Sequence, residues 1–209
     1  MEQFGDIKLY NCDCMELMAK TPDKYYDLAI VDPPYGIGMD GGNVGYKGLN
    51  NLNKKNWDKE IPSDEYFQEL FRVSKNQIIW GGNYFLLPQT RCFLIWDKVQ
   101  PEGVSFAMCE YAWTSFDESA KIFRYSVQKH TAKENKIHPT QKPVQLYKWI
   151  LQKYAKEGDK ILDTHFGSLS IGIACHDLHF ELTASELDKE YYELGKNRLM
   201  WHQKQLNLF

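Results

Sequence analysis

The sequence predicts an α/β protein built on a doubly wound, mostly parallel sheet, and three observations carry that expectation. Short apolar runs alternate with stretches of helical period along the whole chain. Two of the runs end in an acid, Tyr26–Val31 before Asp32 and the run through Ile161 and Leu162 before Asp163. A third acid, Glu186, closes the next run about 20 residues beyond Asp163. In open α/β sheets, ligands bind beyond the carboxyl ends of the strands, so these acids mark the candidate site. The length of 209 residues suits one domain, 1–209, with a core large enough to fold alone.

Ile7–Tyr10 reads as a strand, and a helical turn follows at Met15–Met18, with Asp13 placed to cap it. Tyr26–Val31 is the second strand. Residues 36–60 are polar and rich in glycine and asparagine without an apolar period, which predicts a long mobile loop placed to cover the site. A helix is expected from Ser63 to about Ser74, with Tyr66, Phe67, Leu70, Phe71 and Val73 on its apolar side. Gln77–Trp80, Cys92–Trp96 and Glu110–Trp113 supply three further strands, while 114–137 reads as irregular and basic. Pro143 opens a helix over Val144–Tyr154. The strand ending at Asp163, a tight turn through Gly167, a helix over Ile171–Leu178, the strand Leu182–Glu186 and a helix from Lys189 to about Gln203 complete the chain.

Composition narrows the function classes. No run of about 18 apolar residues occurs, so no membrane span is expected. The opening residues lack a basic stretch followed by an apolar one, which predicts a cytoplasmic protein without a signal peptide. Five cysteines without a CxxC pair argue against a zinc site and against a disulfide framework. The net charge of −3 is unlike a basic DNA-binding domain, but the charge is unevenly spread. Lys121, Arg124, Lys129, Lys133, Lys136 and Lys142 are accompanied by one acid, Glu134, and Lys47, Lys54, Lys55 and Lys59 by Asp58 alone. Such clusters either hold phosphates or are solvated faces.

Asp32-Pro33-Pro34-Tyr35 is the stretch with the most specific chemistry. Two prolines stop the sheet ladder and leave carbonyls free to accept. A carboxylate, a free carbonyl and an aromatic face suit a planar ring that bears an exocyclic amine, such as an adenine or cytosine turned out of a duplex. Taken alone, the tetrapeptide could equally end a strand and do nothing more. Strand–Asp163–turn–Gly167–helix followed by strand–Glu186 is how a Rossmann-like sheet receives an adenosine cofactor, the acid accepting from ribose hydroxyls. Gly-x-Gly-x-x-Gly is absent, which favours a cofactor without a pyrophosphate, such as S-adenosylmethionine.

In this order the chain resembles the permuted β group of DNA amino-methyltransferases, and is similar to the small members carried by bacteriophages and prophages. The resemblance runs through Asn11-Cys12-Asp13, Asp32-Pro33-Pro34-Tyr35, Ile78 to Phe85, Trp96-Asp97-Lys98, His138-Pro139-Thr140-Gln141-Lys142-Pro143, Leu162 to Ser170 and Glu186 to Tyr191. It implies a circularly permuted methyltransferase fold that transfers a methyl group from S-adenosylmethionine to adenine N6, or to cytosine N4, in double-stranded DNA. Asp32 and the Pro33 carbonyl would hold the amine, with Pro34 shaping the turn and Tyr35 stacking on the base. Asp13, Asp163, His165, Phe166, Gly167, Ser168 and Glu186 would line the cofactor, and His138, Thr140, Gln141 and Lys142 would close over its methionine end. Lys47, Lys54, Lys55, Lys121, Arg124, Lys129 and Lys133 would meet DNA, residues 98–137 forming a short target-recognition segment. No metal is implied. The chain departs from the family at His165, Leu169 and Ala184; Leu169 stands where glycine is common and is expected to crowd the turn or the methionine. A nucleic-acid-binding relic that has lost its cofactor is the non-enzyme alternative. A monomer or homodimer, and a restriction endonuclease partner, are both left open.

Overall fold

The computed structural model describes residues 1–40, 55–103, 107–126 and 136–206. Among them, nine strands form one sheet in the order β1-β2-β9-β8-β3-β4-β6-β5-β7. These are β1 (Glu2–Phe4), β2 (Ile7–Tyr10), β3 (Tyr26–Val31), β4 (Ser74–Trp80), β5 (Phe93–Asp97), β6 (Cys109–Thr114), β7 (Lys121–Arg124), β8 (Lys160–Asp163) and β9 (Glu181–Ser185). The helices are α1 (Cys14–Ala19), α2 (Asp64–Val73), α3 (Val144–Tyr154), α4 (Ser170–Leu178) and α5 (Lys189–Leu206). β2, β9, β8, β3 and β4 run parallel. β1 pairs antiparallel at one edge, and β6 runs antiparallel between β4 and β5.

Side-chain alternation sends the two faces of the sheet to different helices. Leu28 and Ile30 of β3 and Ile78 and Trp80 of β4 pack with Leu146, Ile150, Ile173 and Leu199 of α3, α4 and α5. Ala29 and Val31 of β3 and Ile79 of β4 face the other way, onto Met18 of α1 and Tyr66, Phe67, Leu70 and Val73 of α2. Burial on both faces explains why these strands read as unbroken apolar runs. Asp27 is the exception in β3: it pairs with Lys75 at 2.6 Å and accepts from Lys160 N at 2.9 Å, which ties the starts of three adjacent strands together.

Two elements depart from the sequence expectation. β1 is a three-residue edge strand with little apolar content. β7 lies inside the stretch expected to be irregular; its four residues pair parallel with β5, and only alternate positions are partly covered. The expected loop over 36–60 lies mostly outside the described residues, as do Lys47, Lys54, Lys129 and Lys133.

The topology fixes where a site can form. The chain leaves β3 toward β4 on one side and leaves β8 toward β9 on the other. The carboxyl ends of β3 and β8 therefore flank a topological switch point, where an open α/β sheet has its natural crevice.

Candidate active site

Two cavities open at this crevice. The first, about 580 Å³, is lined by Asp32, Pro33, Pro34 and Tyr35 from the end of β3, by Gly81, Asn83 and Tyr84 after β4, by Trp96, Lys98, Cys109, Glu110 and Tyr111 from β5 and β6, and by Lys142. The second, about 620 Å³, is lined by Asp13 and its two cysteine neighbours, by Thr164–Ser168 after β8, by Glu186–Asp188 after β9, and by Lys55, His138 and Tyr191. Asp32, Pro34, Trp57, Thr140, Gln141 and Lys142 line both.

At the shared wall the Asp32 carboxylate has two donors. The Tyr35 hydroxyl donates to Oδ1 and the Lys142 ammonium to Oδ2, each at 2.5 Å. Lys142 is buried, and its Nζ also lies 3.0 Å from Glu110 Oε2. Glu110 Oε1 pairs with Lys98 at 2.7 Å. Two cations and two carboxylates thus alternate, so no charge in the group lacks an opposite neighbour. Burial raises the Asp32 carboxyl above its usual range, against the nearby Lys142 ammonium. Burial also works against the charge on Glu110, but Lys142 and Lys98 outweigh it and hold that carboxyl down at about 2. Glu110 therefore contributes stability that is full above its ordinary value of 4.5 and is lost as the pH falls toward about 2. Glu110→Gln should flatten the dependence of unfolding free energy on pH within that window, as measured by denaturant titration at a series of acid pH values.

The aromatic wall is built around Tyr35. Its ring stacks on Tyr84 at a centroid distance of 5.1 Å and meets Phe85 edge-on at 6.2 Å. Gly81 makes this possible: its φ is +70°, and a Cβ there would stand 2.2 Å from Tyr35 Cε1. Tyr84 therefore takes one face of the ring assigned to the base.

The backbone after Pro34 is held by a residue with no sequence signal. Asp58 is buried, with Oδ1 accepting from Tyr35 N at 2.7 Å and Gly36 N at 2.9 Å, and Oδ2 from Met39 N at 2.7 Å. Asp58→Ala leaves three backbone donors unpaired and should lower stability by about 2–4 kcal/mol. Denaturant unfolding measures that loss.

In the second cavity, Asp13 caps α1 by accepting from Met15 N at 2.8 Å and lines the wall beside it. Glu186 Oε2 accepts from Gly167 N at 3.0 Å, and Oε1 from Asp188 N at 2.9 Å. Burial raises the Glu186 carboxyl. His138 lies between the rings of Trp57 and Tyr191, at 5.2 and 4.3 Å, and burial lowers it to about 3, so it is neutral. Burial likewise lowers His165 to about 4. Asp163 is buried and lies behind this wall rather than on it; it accepts from His165 N at 3.0 Å, and burial pushes its carboxyl up to about 8.

Leu169 does not crowd this cavity. The backbone carries the cost of the missing glycine: Leu169 is left-handed, with φ 55°. Its side chain is fully buried in the core, over Gly172 and Gly195; Cβ atoms at those positions would meet it at 2.7 and 3.1 Å.

The described cations expected on DNA are less free than predicted. Lys55 folds inward, pairing with Asp188 at 2.7 Å and Glu190 at 2.8 Å and lying over the Tyr191 ring, drawn by acids at the start of α5. Lys121 pairs with Glu118 at 2.6 Å. Arg124 pairs with Asp97 at 3.2 Å yet keeps 73% of its side chain exposed. Trp57, Asp58 and Glu110 join the site without having been singled out beforehand, and Tyr84 and Lys98, quoted in the resemblance without a role, join it too; a charged Glu110 heading an apolar strand was the one available signal for the first three.

Residues 80–197, more than half of the chain, match the DNA methylase family of the N6/N4 type. The chain belongs to this family of DNA amino-methyltransferases. It is 25% identical to the type II methyltransferase M.HpaI of Haemophilus parainfluenzae, over 93% of this chain and 74% of that one. It is 28% identical to the type II methyltransferase M2.DpnII of Streptococcus pneumoniae, over 79% of this chain but only 56% of that one, so it spans little more than half of the second relative. The fold is similar to that in the crystal structure of an M1.HpyAVI–SAM complex, with a TM-score of 0.62 and 20% identity, covering 92% of this chain and 100% of that one. Among the described residues, no helix is long and apolar enough to cross a membrane.

Proposed function

We propose that the chain transfers the methyl group of S-adenosylmethionine to adenine N6 in double-stranded DNA, on a base turned out of the duplex into the first cavity. The observation that carries this reading is the meeting of the two cavities at Asp32. Transfer needs the reacting atoms within about 3–3.5 Å, and a shared wall allows that approach. The second cavity suits the methyl donor. Each Glu186 oxygen takes one backbone N–H, which leaves lone pairs for ribose hydroxyls, and no phosphate cradle is needed. Bound there, S-adenosylmethionine supplies a methyl group activated by its sulfonium.

Asp32 and the Pro33 carbonyl accept the two amine hydrogens and draw the nitrogen toward tetrahedral geometry. Its lone pair, otherwise delocalised into the ring, is then aimed at the methyl carbon. The N–C bond forms as the S–C bond breaks, and that electron pair stays on sulfur. Asp32 stabilises the positive nitrogen and takes the proton it sheds. Tyr35 offers the base the ring face that Tyr84 leaves, worth about 1–3 kcal/mol. Residues 98–137 are assigned to target recognition, with exposed Arg124 on phosphate. Cytosine N4 presents the same two hydrogens and is the other base to test.

Methyl-labelled S-adenosylmethionine offered with DNA, RNA and protein together tests the assignment. Label should enter DNA; label in RNA or protein, or DNA binding without any transfer, would overturn it.

A further inference from the structure

On the reading that Asp32 accepts the target amine, the contacts at its carboxylate raise a problem. Tyr35 donates to Oδ1 and Lys142 to Oδ2, which leaves lone pairs on both oxygens for the amine but places the Lys142 ammonium beside it. Tyr35 is fixed by its stack on Tyr84 and by Asp58 on its backbone nitrogen. Lys142 has another acceptor within reach. Its Nζ is 3.0 Å from Glu110 Oε2, a buried oxygen on which no hydrogen bond is aligned. Lys98, paired with Oε1 at 2.7 Å, keeps the Glu110 carboxylate turned so that Oε2 faces Lys142. An ammonium left on Asp32 would oppose the positive charge that transfer places on the amine nitrogen.

We propose that Glu110 is a positioning residue of the transfer, which takes the Lys142 ammonium over from Asp32 as the target amine enters. A cation is thereby drawn away from the reacting nitrogen. Glu110 touches neither base nor donor in this role; it acts through Lys142. The displacement is small because both carboxylates already lie within 3.0 Å of the same nitrogen.

Charge and shape are separated by two substitutions. Glu110→Gln keeps the shape and removes the charge, and Glu110→Asp keeps the charge on a shorter arm. With a duplex carrying the protein's own methylated sequence, Glu110→Gln should lower kcat at least about tenfold with donor affinity unchanged, and Glu110→Asp should recover most of that loss. A purely structural role predicts the reverse order. The second readout needs no turnover: affinity for the same duplex, against one with an abasic target position, in the presence of S-adenosylhomocysteine. Glu110→Gln should reduce the preference for the intact target, and should have no further effect once Lys142→Met has removed the ammonium. A kcat within about twofold of wild type for Glu110→Gln, or an equal loss of preference in the Lys142→Met background, overturns the proposal. Asp32→Ala is run in parallel. If it still transfers methyl groups, the reading of Asp32 fails; if it is inactive while Glu110→Gln is unimpaired, only the role of Glu110 fails.

Discussion

Asp32→Ala is expected to bind S-adenosylmethionine with unchanged affinity and to lose transfer by at least about 10²–10³-fold, the range seen when one preorganised transition-state partner is removed. The loss falls on the chemical step because the carboxylate interacts most strongly with the nitrogen as it becomes positive. Asp32 lines both cavities, but the groups assigned to the donor stand after β8 and β9, so donor binding is expected to be spared. The fold is spared as well. Removing one partner of a buried ion pair commonly costs about 3–5 kcal/mol, but here Lys142 keeps Glu110 at 3.0 Å. Calorimetry of donor binding beside single-turnover transfer separates these effects; weakened donor binding would show that Asp32 holds the donor as well as the amine.

Leu169→Gly is expected to lower stability by about 1–3 kcal/mol and to leave donor affinity unchanged. Two effects oppose each other. Glycine relieves the left-handed strain at φ 55°, worth about 1–2 kcal/mol. Loss of a fully buried leucine costs about 2–5 kcal/mol, and the cavity over Gly172 and Gly195 cannot close because backbone forms its floor. Packing therefore outweighs strain. Denaturant unfolding gives the sign, and calorimetry checks the donor. A variant more stable than wild type, or one that binds the donor more tightly, would show that Leu169 burdens the cavity after all.

Leu169 also shows where sequence reasoning stops. Its departure from glycine was visible, and its left-handed backbone follows from the turn. The direction of its side chain depended on Gly172 and Gly195, 3 and 26 positions further along the chain. The parallel core was legible because strands buried on both faces leave unbroken apolar runs, as in Tyr26–Val31 and Gln77–Trp80. β7 was not, because an edge strand buries little and its Lys121–Arg124 reads as surface. The tetrapeptide at Asp32 and the acid at Glu186 announced themselves by residue type at strand ends. Asp58 and Glu110 did not, since their roles come from contacts with Tyr35 and Lys142, 23 and 32 positions away. Lys55 was placed on DNA from charge alone, whereas Asp188 and Glu190 draw it inward.

Two ligands meeting at Asp32 should let a methyl group cross there to an exocyclic amine of DNA. Unmethylated genomic DNA incubated with the protein and methyl-labelled S-adenosylmethionine, then digested to nucleosides and analysed by mass spectrometry, tests this transfer most directly. Labelled N6-methyldeoxyadenosine is expected with the wild-type chain and none with Asp32→Ala. Label on a ring carbon, no label in any nucleoside, or label undiminished by Asp32→Ala would contradict it.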